Sequence, residues 1–241
     1  MRRLQVSSLL LLLTLLLAPT ATTSRAEMMV IEAGRDTTLI EDPDGVLANG
    51  SGPVFFAGRT SQTQNSVRRA LLWFDVAAAL PSDARIEDVQ LILTTISGNE
   101  QVANLRVHRV LADWGEGSSS ATGGGGAPSA PGDATWLHTF YGDRFWARSG
   151  GTFVGHESAA RPVAGPAVYI WENAPGLVHD VRLWLAAPRR NFGWILIGDE
   201  TARQTSKRFA SRQNSDPSLR PALEITYSRR RDLTGNRSLS R

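Results

Sequence analysis

The residues best suited to chemistry in this chain are aromatic, and they cluster in its least regular stretch. Trp114, Trp136 and Trp146, with His138, Phe140, Tyr141 and Phe145, flank a run rich in Gly, Ser and Pro that spans about 117–132. Sugars present flat C–H faces, so exposed aromatic rings make platforms for them, while Asp, Asn and Arg bind hydroxyls in the plane of the ring. Trp114, Trp136, His138, Tyr141 and Trp146 are therefore the first candidate ligand-binding residues. Trp73 is a sixth, because it shares a strand face with Asp75. The remaining tryptophans, Trp171, Trp184 and Trp194, lie in apolar surroundings and are assigned to the core.

Other chemistries have thinner support. Asp42-Pro43-Asp44-Gly45 places two carboxylates two residues apart before a turn glycine, as in half of a calcium loop. Asp36 and Asn49 are the further oxygen donors a structural Ca²⁺ would need, and the glutamate that would complete an EF-hand is replaced by Pro53. The four histidines are scattered, with no HExxH and no cysteine partner for zinc. A catalytic reading has two forms. His138, Tyr141 and Arg144, with Glu157, would serve a polysaccharide lyase; Asp133 and Glu157 would form a hydrolase pair. No GxSxG elbow is present, and the four glycines at 123–126 lack the strand and helix of a phosphate cradle. The expectation is a non-catalytic binding protein.

Strands must position these residues. Leu223, Ile225 and Tyr227 alternate with Glu224 and Thr226, the period of a half-buried strand. Trp194-Ile195-Leu196-Ile197 is a short apolar run between Gly193 and Gly198, suited to a strand buried on both faces. Further strands are read at 37–40, 54–57, 69–76, around 89–94, at 105–108, 168–171 and 207–211. In the 69–76 strand Ala70, Leu72 and Phe74 take one face, and Leu71, Trp73 and Asp75 the other. One helical stretch stands out at 178–185, with Val178, Val181 and Leu185 on a stripe beside Trp184 and Pro188 just beyond. The tip at 121–130 is expected to be mobile. Arg208 and Arg212 are expected to pair with Asp199 and Glu200 across a hairpin. The fold class is all-β: an antiparallel two-sheet jelly-roll sandwich with one short helix and a long Gly/Ser-rich loop.

Several segments carry a resemblance. Gly193-Trp194, the apolar run, Gly198-Asp199-Glu200, then KRFASR at 207–212 and RPALEITY at 220–227 resemble the closing half of DNRLRE-domain proteins. RALLWFD at 69–75, DWGEGS at 113–118 and GDATW at 132–136 extend the similarity to about 37–227, although the literal string DNRLRE is absent. The resemblance implies a secreted or surface β-sandwich of a bacterial or archaeal group related to carbohydrate-binding modules and to disaggregatase repeats.

Composition narrows partners and compartment. Arg2 and Arg3 precede an apolar run at 9–18, and Ser24-Arg25-Ala26 supplies small residues for cleavage, so 1–26 reads as a secretory signal peptide. The remainder, 27–228, reads as one sandwich domain, and 229–241 as a basic disordered tail. With no cysteine, disulfides cannot staple the fold, so the core must hold it. The formal charge is +3, but Arg2, Arg3 and Arg25 belong to the leader, and Arg229, Arg230, Arg231, Arg237 and Arg241 to the tail. The folded body is left without a basic face, which argues against nucleic acid. No later stretch is apolar enough to span a membrane. The expected location is extracellular or periplasmic, and the expected partner is a polysaccharide or matrix glycan. The alternative is a surface structural module whose partner is another protein.

Overall fold

A computed structural model describes residues 25–98 and 100–229. The chain begins with β1 (Ala26–Glu32), β2 (Arg35–Ile40), β3 (Leu47–Ala48), β4 (Val54–Arg59) and β5 (Val67–Trp73). A single helical turn, α1 (Val76–Ala79), leads to the long β6 (Arg85–Ser97) and then β7 (Ala103–Arg109). Between 110 and 158 only short pieces occur: β8 (Ala127–Pro128), β9 (His138–Phe140) and β10 (Arg144–Phe145). The chain then returns with β11 (Ala159–Val163), β12 (Ala167–Trp171), α2 (Pro175–Ala186), β13 (Trp194–Ile197), β14 (Lys207–Ala210) and β15 (Ala222–Ser228).

Every strand pair is antiparallel, and two strands act as axes. β12 and β15 both pair with Leu91 and Ile92 of β6, so they flank it on opposite edges. β14 meets β6 at Thr95 and Ser97, on the edge away from β12, and β1 and β4 lie beyond β15 and β14. In the second layer β2 and β13 flank β5, with β7 and β11 beyond β13. β4 joins the layers. Its first four residues pair with β14, and Gly58 and Arg59 then pair with Arg68 and Val67 of β5. Gly58 turns this corner at φ +115°, and a Cβ on the neighbouring Gly198 would lie 2.7 Å from its Cα. Both positions need glycine for the layers to close.

The alternation read from the sequence sets the layer between the sheets. Leu72, Phe74, Leu91, Leu93, Leu105, Val107, Leu223 and Ile225 meet there, with Phe55 and Phe209 stacked at 5.3 Å. α2 docks on the same core through Leu177, Val181 and Trp184, and Trp184 meets Trp194 at 4.5 Å. Trp171, Trp184 and Trp194 are all buried. The helical stripe differs in phase from the expected one: Leu177, Asp180, Val181 and Trp184 face inward, while Val178 and Leu185 are only partly buried. The reason is Asp180, a carboxylate on the apolar stripe that finds its partners inside.

The outer face of the β5 layer carries a second apolar cluster. Leu39, Leu71, Ile195 and Ile197 pack there against Val110, Trp114, Ala134 and Trp146. This explains the unbroken Trp-Ile-Leu-Ile run, since Trp194 and Leu196 fill one core and Ile195 and Ile197 the other. Residues 110–158 are therefore a cover segment over a sheet face, and the tip expected to be mobile makes backbone contacts with its neighbours. The buried Asp133 carboxylate accepts backbone N–H groups from Ser118 (2.8 Å), Ser119 (3.3 Å) and Ala130 (2.6 Å). Ser51 N donates to Ser119 O at 2.8 Å, Ser129 N donates to Val46 O at 2.9 Å, and β8 pairs with β3. Glycines permit this closure rather than loosening it: a Cβ on Gly117 (φ +74°) would fall 1.6 Å from Asp133 Oδ1.

β1 was not anticipated. It pairs along its whole length with β15, starting at Ala26 opposite Ser228. Of the expected leader only Arg25 and Ala26 fall among the described residues; 1–24, and the expected tail from 230 onward, lie outside them.

Candidate functional site

The structure takes the tryptophan platforms apart. Trp114 is buried, its Nε1–H donating to Phe192 O at 2.9 Å, and Trp146 is buried with its Nε1–H on Thr135 O at 3.0 Å. Neither can present a face to a ligand. Trp73 and Trp136 are half-buried. The Arg35 guanidinium lies 4.8 Å from the ring centroids of both Trp73 and Trp114, and Arg69 lies 5.0 Å from that of Trp136. The physical reason is the apolar outer face of the β5 layer, which must be shielded from water. The loop tryptophans supply that shield, and arginines cap its rim.

His138 and Tyr141 do come together, and Phe145 joins them. On the β9–β10 hairpin the His138 ring lies 4.3 Å from that of Phe145 and 5.1 Å, edge-on, from that of Tyr141. Arg144 stacks 4.1 Å over Phe140 and pairs with Asp143 at 3.0 Å. Phe145 is 68% exposed, making this hairpin the most open aromatic surface of the cover. Burial pushes the His138 imidazole below its usual value, and its Nδ1 is engaged by Thr135 Oγ1 at 2.9 Å. The set has the character of a contact surface. Of the residues in the two catalytic readings, Asp133 is spent on backbone N–H groups, and Glu157 sits at the surface 4.0 Å from Arg106. Because Phe145 is so open, Phe145→Ala should shift the unfolding free energy by less than about 0.5 kcal/mol in a urea titration. A larger loss would mean that the hairpin is part of the core.

The calcium candidates are dispersed. Asp42 Oδ2 accepts Val46 N at 2.7 Å, closing its own turn, and Asp44 is exposed. Asn49 bridges Val54 O (2.9 Å) and Ala121 N (2.8 Å), while the buried Asp36 accepts Arg212 N at 2.6 Å. Among the described residues no group of three or more His, Cys, Asp or Glu side chains is arranged to hold a metal ion.

A different site emerges on the outer face of the β6 layer. Arg208 of β14 lies opposite Phe56 of β4 on one side and Ser97 of β6 on the other, so the three share a cross-strand row. Thr60, Ser61, Gly98, Gln204 and Ser206 complete a cleft of about 400 Å³, with Gly124 of the cover against the Phe56 ring. Arg208 Nε and Ser206 Oγ are both shielded from water and have no hydrogen-bond partner among the described residues. The Arg208 Nη1 contact to Ser97 Oγ is long, at 3.5 Å.

Among the described residues no carboxylate pairs with Arg208, which corrects the expected pairing with Asp199 and Glu200. Glu200 instead chelates Arg69 at 2.8 and 2.9 Å. Asp199 is held below the usual carboxylate range by the Thr201 hydroxyl and N–H. Arg212 takes Glu116. The Gly124 wall is fixed from behind by the buried Arg68, whose Nε–H donates to Gly124 O and whose Nη2 donates to Gln62 Oε1 at 2.9 Å. The signal for the cleft was strand parity, since Arg208 must point opposite to the buried Lys207 and Phe209. Among the described residues no helix is long and apolar enough to cross a membrane. No protein-family model matches this chain, and no curated protein matches it.

Proposed function

We propose that this chain is an exported, non-catalytic polysaccharide-binding module whose ligand seat is the cleft around Arg208. The observation that carries the reading is one open cleft in which Arg208, paired with no carboxylate among the described residues, sits beside hydroxyl and amide side chains and an aromatic ring. The remaining lining suits a sugar: the hydroxyls of Thr60, Ser61 and Ser97, the amide of Gln204, and the Phe56 ring as an apolar floor. An arginine with no carboxylate partner among the described residues favours sugars that bear an anionic group. The resemblance to DNRLRE-domain proteins supports the same fold and location. The exposed hairpin of Tyr141 and Phe145 offers a further contact for a long chain.

A protein-interaction role is the second reading, favoured by Met28, Val30 and Val168, which are exposed on the outer face of the β6 layer. Affinity electrophoresis against neutral and acidic polysaccharides separates the two. Arg208→Gln should weaken retention roughly 10- to 100-fold, the worth of one charge-assisted hydrogen bond of about 1.5–3 kcal/mol. Its stability should stay level, because the guanidinium has no ion pair to lose. Retention by no glycan, or full retention by Arg208→Gln, would overturn the proposal.

A further inference from the structure

The cover segment is joined to the β5 layer at a buried acidic junction. Asp36 sits on β2, and its carboxylate Oδ2 accepts the N–H of Arg212 at 2.6 Å. Its own N–H donates to Glu116 Oε1, from the cover, at 2.9 Å. Glu116 in turn grips the Arg212 guanidinium through Nε (2.6 Å) and Nη2 (2.8 Å) and accepts Gln213 Nε2 at 3.1 Å. Three parts of the chain distant in sequence, β2, the cover and the loop after β14, therefore meet around two carboxyl groups and one guanidinium. The groups facing Asp36 from the packed elements are Glu116 on the cover and Arg212 on the loop; opposite it on β5 is Leu72. Its strand neighbour Arg35 is engaged by Asp113 of the cover at 3.2 Å.

We propose that the Asp36–Glu116–Arg212 junction is a proton-operated latch, which holds the cover on the sheet while the carboxyl pair retains a proton and releases it as that proton is lost. Glu116 holds the Arg212 guanidinium, while Asp36, cut off from water, takes only the backbone N–H of the same residue. A second negative charge beside Glu116 has neither solvent nor a spare cation to offset it. Opening the cover lets water reach Asp36, so the charged form favours the open state. Burial raises the Asp36 carboxyl to about 8; the Glu116 charge adds to the rise, against the opposing N–H and charge of Arg212. The latch bears on ligand binding because the same cover supplies Gly124, one wall of the Arg208 cleft.

The sign follows from linkage. The closed form holds its proton up to about pH 8, and an exposed Asp holds one only to about 3.8. Closure is strongest below the lower value, weakens about tenfold per pH unit between the two, and levels off above the higher one. Amide hydrogen exchange of the full chain from pH 5 to 9, corrected for the intrinsic chemical rate, reads this directly. The opening constants of Ser118 and Ser119 should rise about tenfold per unit from pH 5 to 7.5 and flatten above 8. Amides of β6 should stay level over the same range. Asp36→Asn, which keeps the acceptor and removes the charge, should abolish the slope. A flat wild-type profile, an equal slope in Asp36→Asn, or a parallel rise in β6 overturns the latch. The glycan assay does not enter this test, so the two proposals stand or fall separately.

Discussion

Asp180→Ala is expected to remove about 3–5 kcal/mol of stability, the cost of breaking a buried ion pair by deleting one partner. The carboxylate is the hub on which α2 meets the β5 layer. Oδ1 takes Arg109 Nε at 2.9 Å, and Oδ2 accepts Ser158 Oγ at 2.5 Å and Trp194 Nε1 at 2.9 Å. Arg109 ends β7, Ser158 precedes β11 and Trp194 opens β13, so one side chain ties three strands to the helix. In the alanine variant an enclosed guanidinium loses its counter-charge, and an indole N–H deep in the core loses its acceptor. Each of these is a desolvated group that water cannot readily serve. Asp180→Asn keeps an acceptor oxygen and should fall between wild type and alanine. Combining Asp180→Leu with Arg109→Met should recover only the share owed to the ion pair, since the Trp194 N–H and the Ser158 hydroxyl still lose their acceptor. Urea midpoints at constant m-value read all of these. An alanine variant with the wild-type midpoint would show that apolar packing alone holds the helix.

The strands that could be read from the sequence are those whose information is local. β15 alternates cleanly because one register puts Leu223, Ile225 and Tyr227 in the core, and β13 is uniformly apolar because both its faces are covered. β1 was missed because Met28 and Val30 remain exposed while Glu27 and Glu32 interrupt the pattern; its partner is at the other end of the chain. The cover was misread for a similar reason. Its glycines and serines forbid regular structure, but they do not forbid order when a buried carboxylate and neighbouring loops satisfy the backbone. Whether a loop tryptophan faces solvent or a sheet depends on whether that sheet has a second apolar face. Leu39, Leu71, Ile195 and Ile197 hold that information, far from Trp114 and Trp146.

The candidate site was harder to read than the fold, because it rests on an absence of pairing. Arg208 and Arg212 look equivalent in the sequence, two basic residues near two acidic ones. Glu116, Asp36 and Glu200 choose differently in three dimensions, and Arg208 is the residue left over. His138 and Tyr141 were legible because a hairpin brings neighbours in sequence together, whereas the backbone groups that Asp36, Asp42 and Asn49 bind are not readable from their spacing.

Asp133→Ala should open the glycine-rich tip and dismantle the proposed ligand cleft while leaving the sandwich folded. The carboxylate is buried and satisfies three backbone N–H groups at once, a loop clip that solvent cannot replace without local opening. Hydrogen bonds to a charged acceptor contribute about 1.5–3 kcal/mol each, and relaxation of the loop recovers part of that. A local loss of roughly 2–4 kcal/mol is therefore expected. It should appear as a 30- to 1,000-fold rise in exchange at Ser118, Ser119 and Ala130, with amides of β6 and β15 little changed. Gly124 lies in the same tip, so its departure from Phe56 removes a wall of the cleft and should reduce glycan retention at least tenfold. Asp133→Asn separates clip from charge: the amide keeps the acceptor that faces Ser118 and Ser119 and loses the one facing Ala130, so only the Ala130 side should loosen. If Asp133→Ala opened the tip and retention stayed at the wild-type level, the cleft would not need its glycine wall. The ligand would then have to sit on the exposed β9–β10 hairpin, where Tyr141 and Phe145 become the residues to remove.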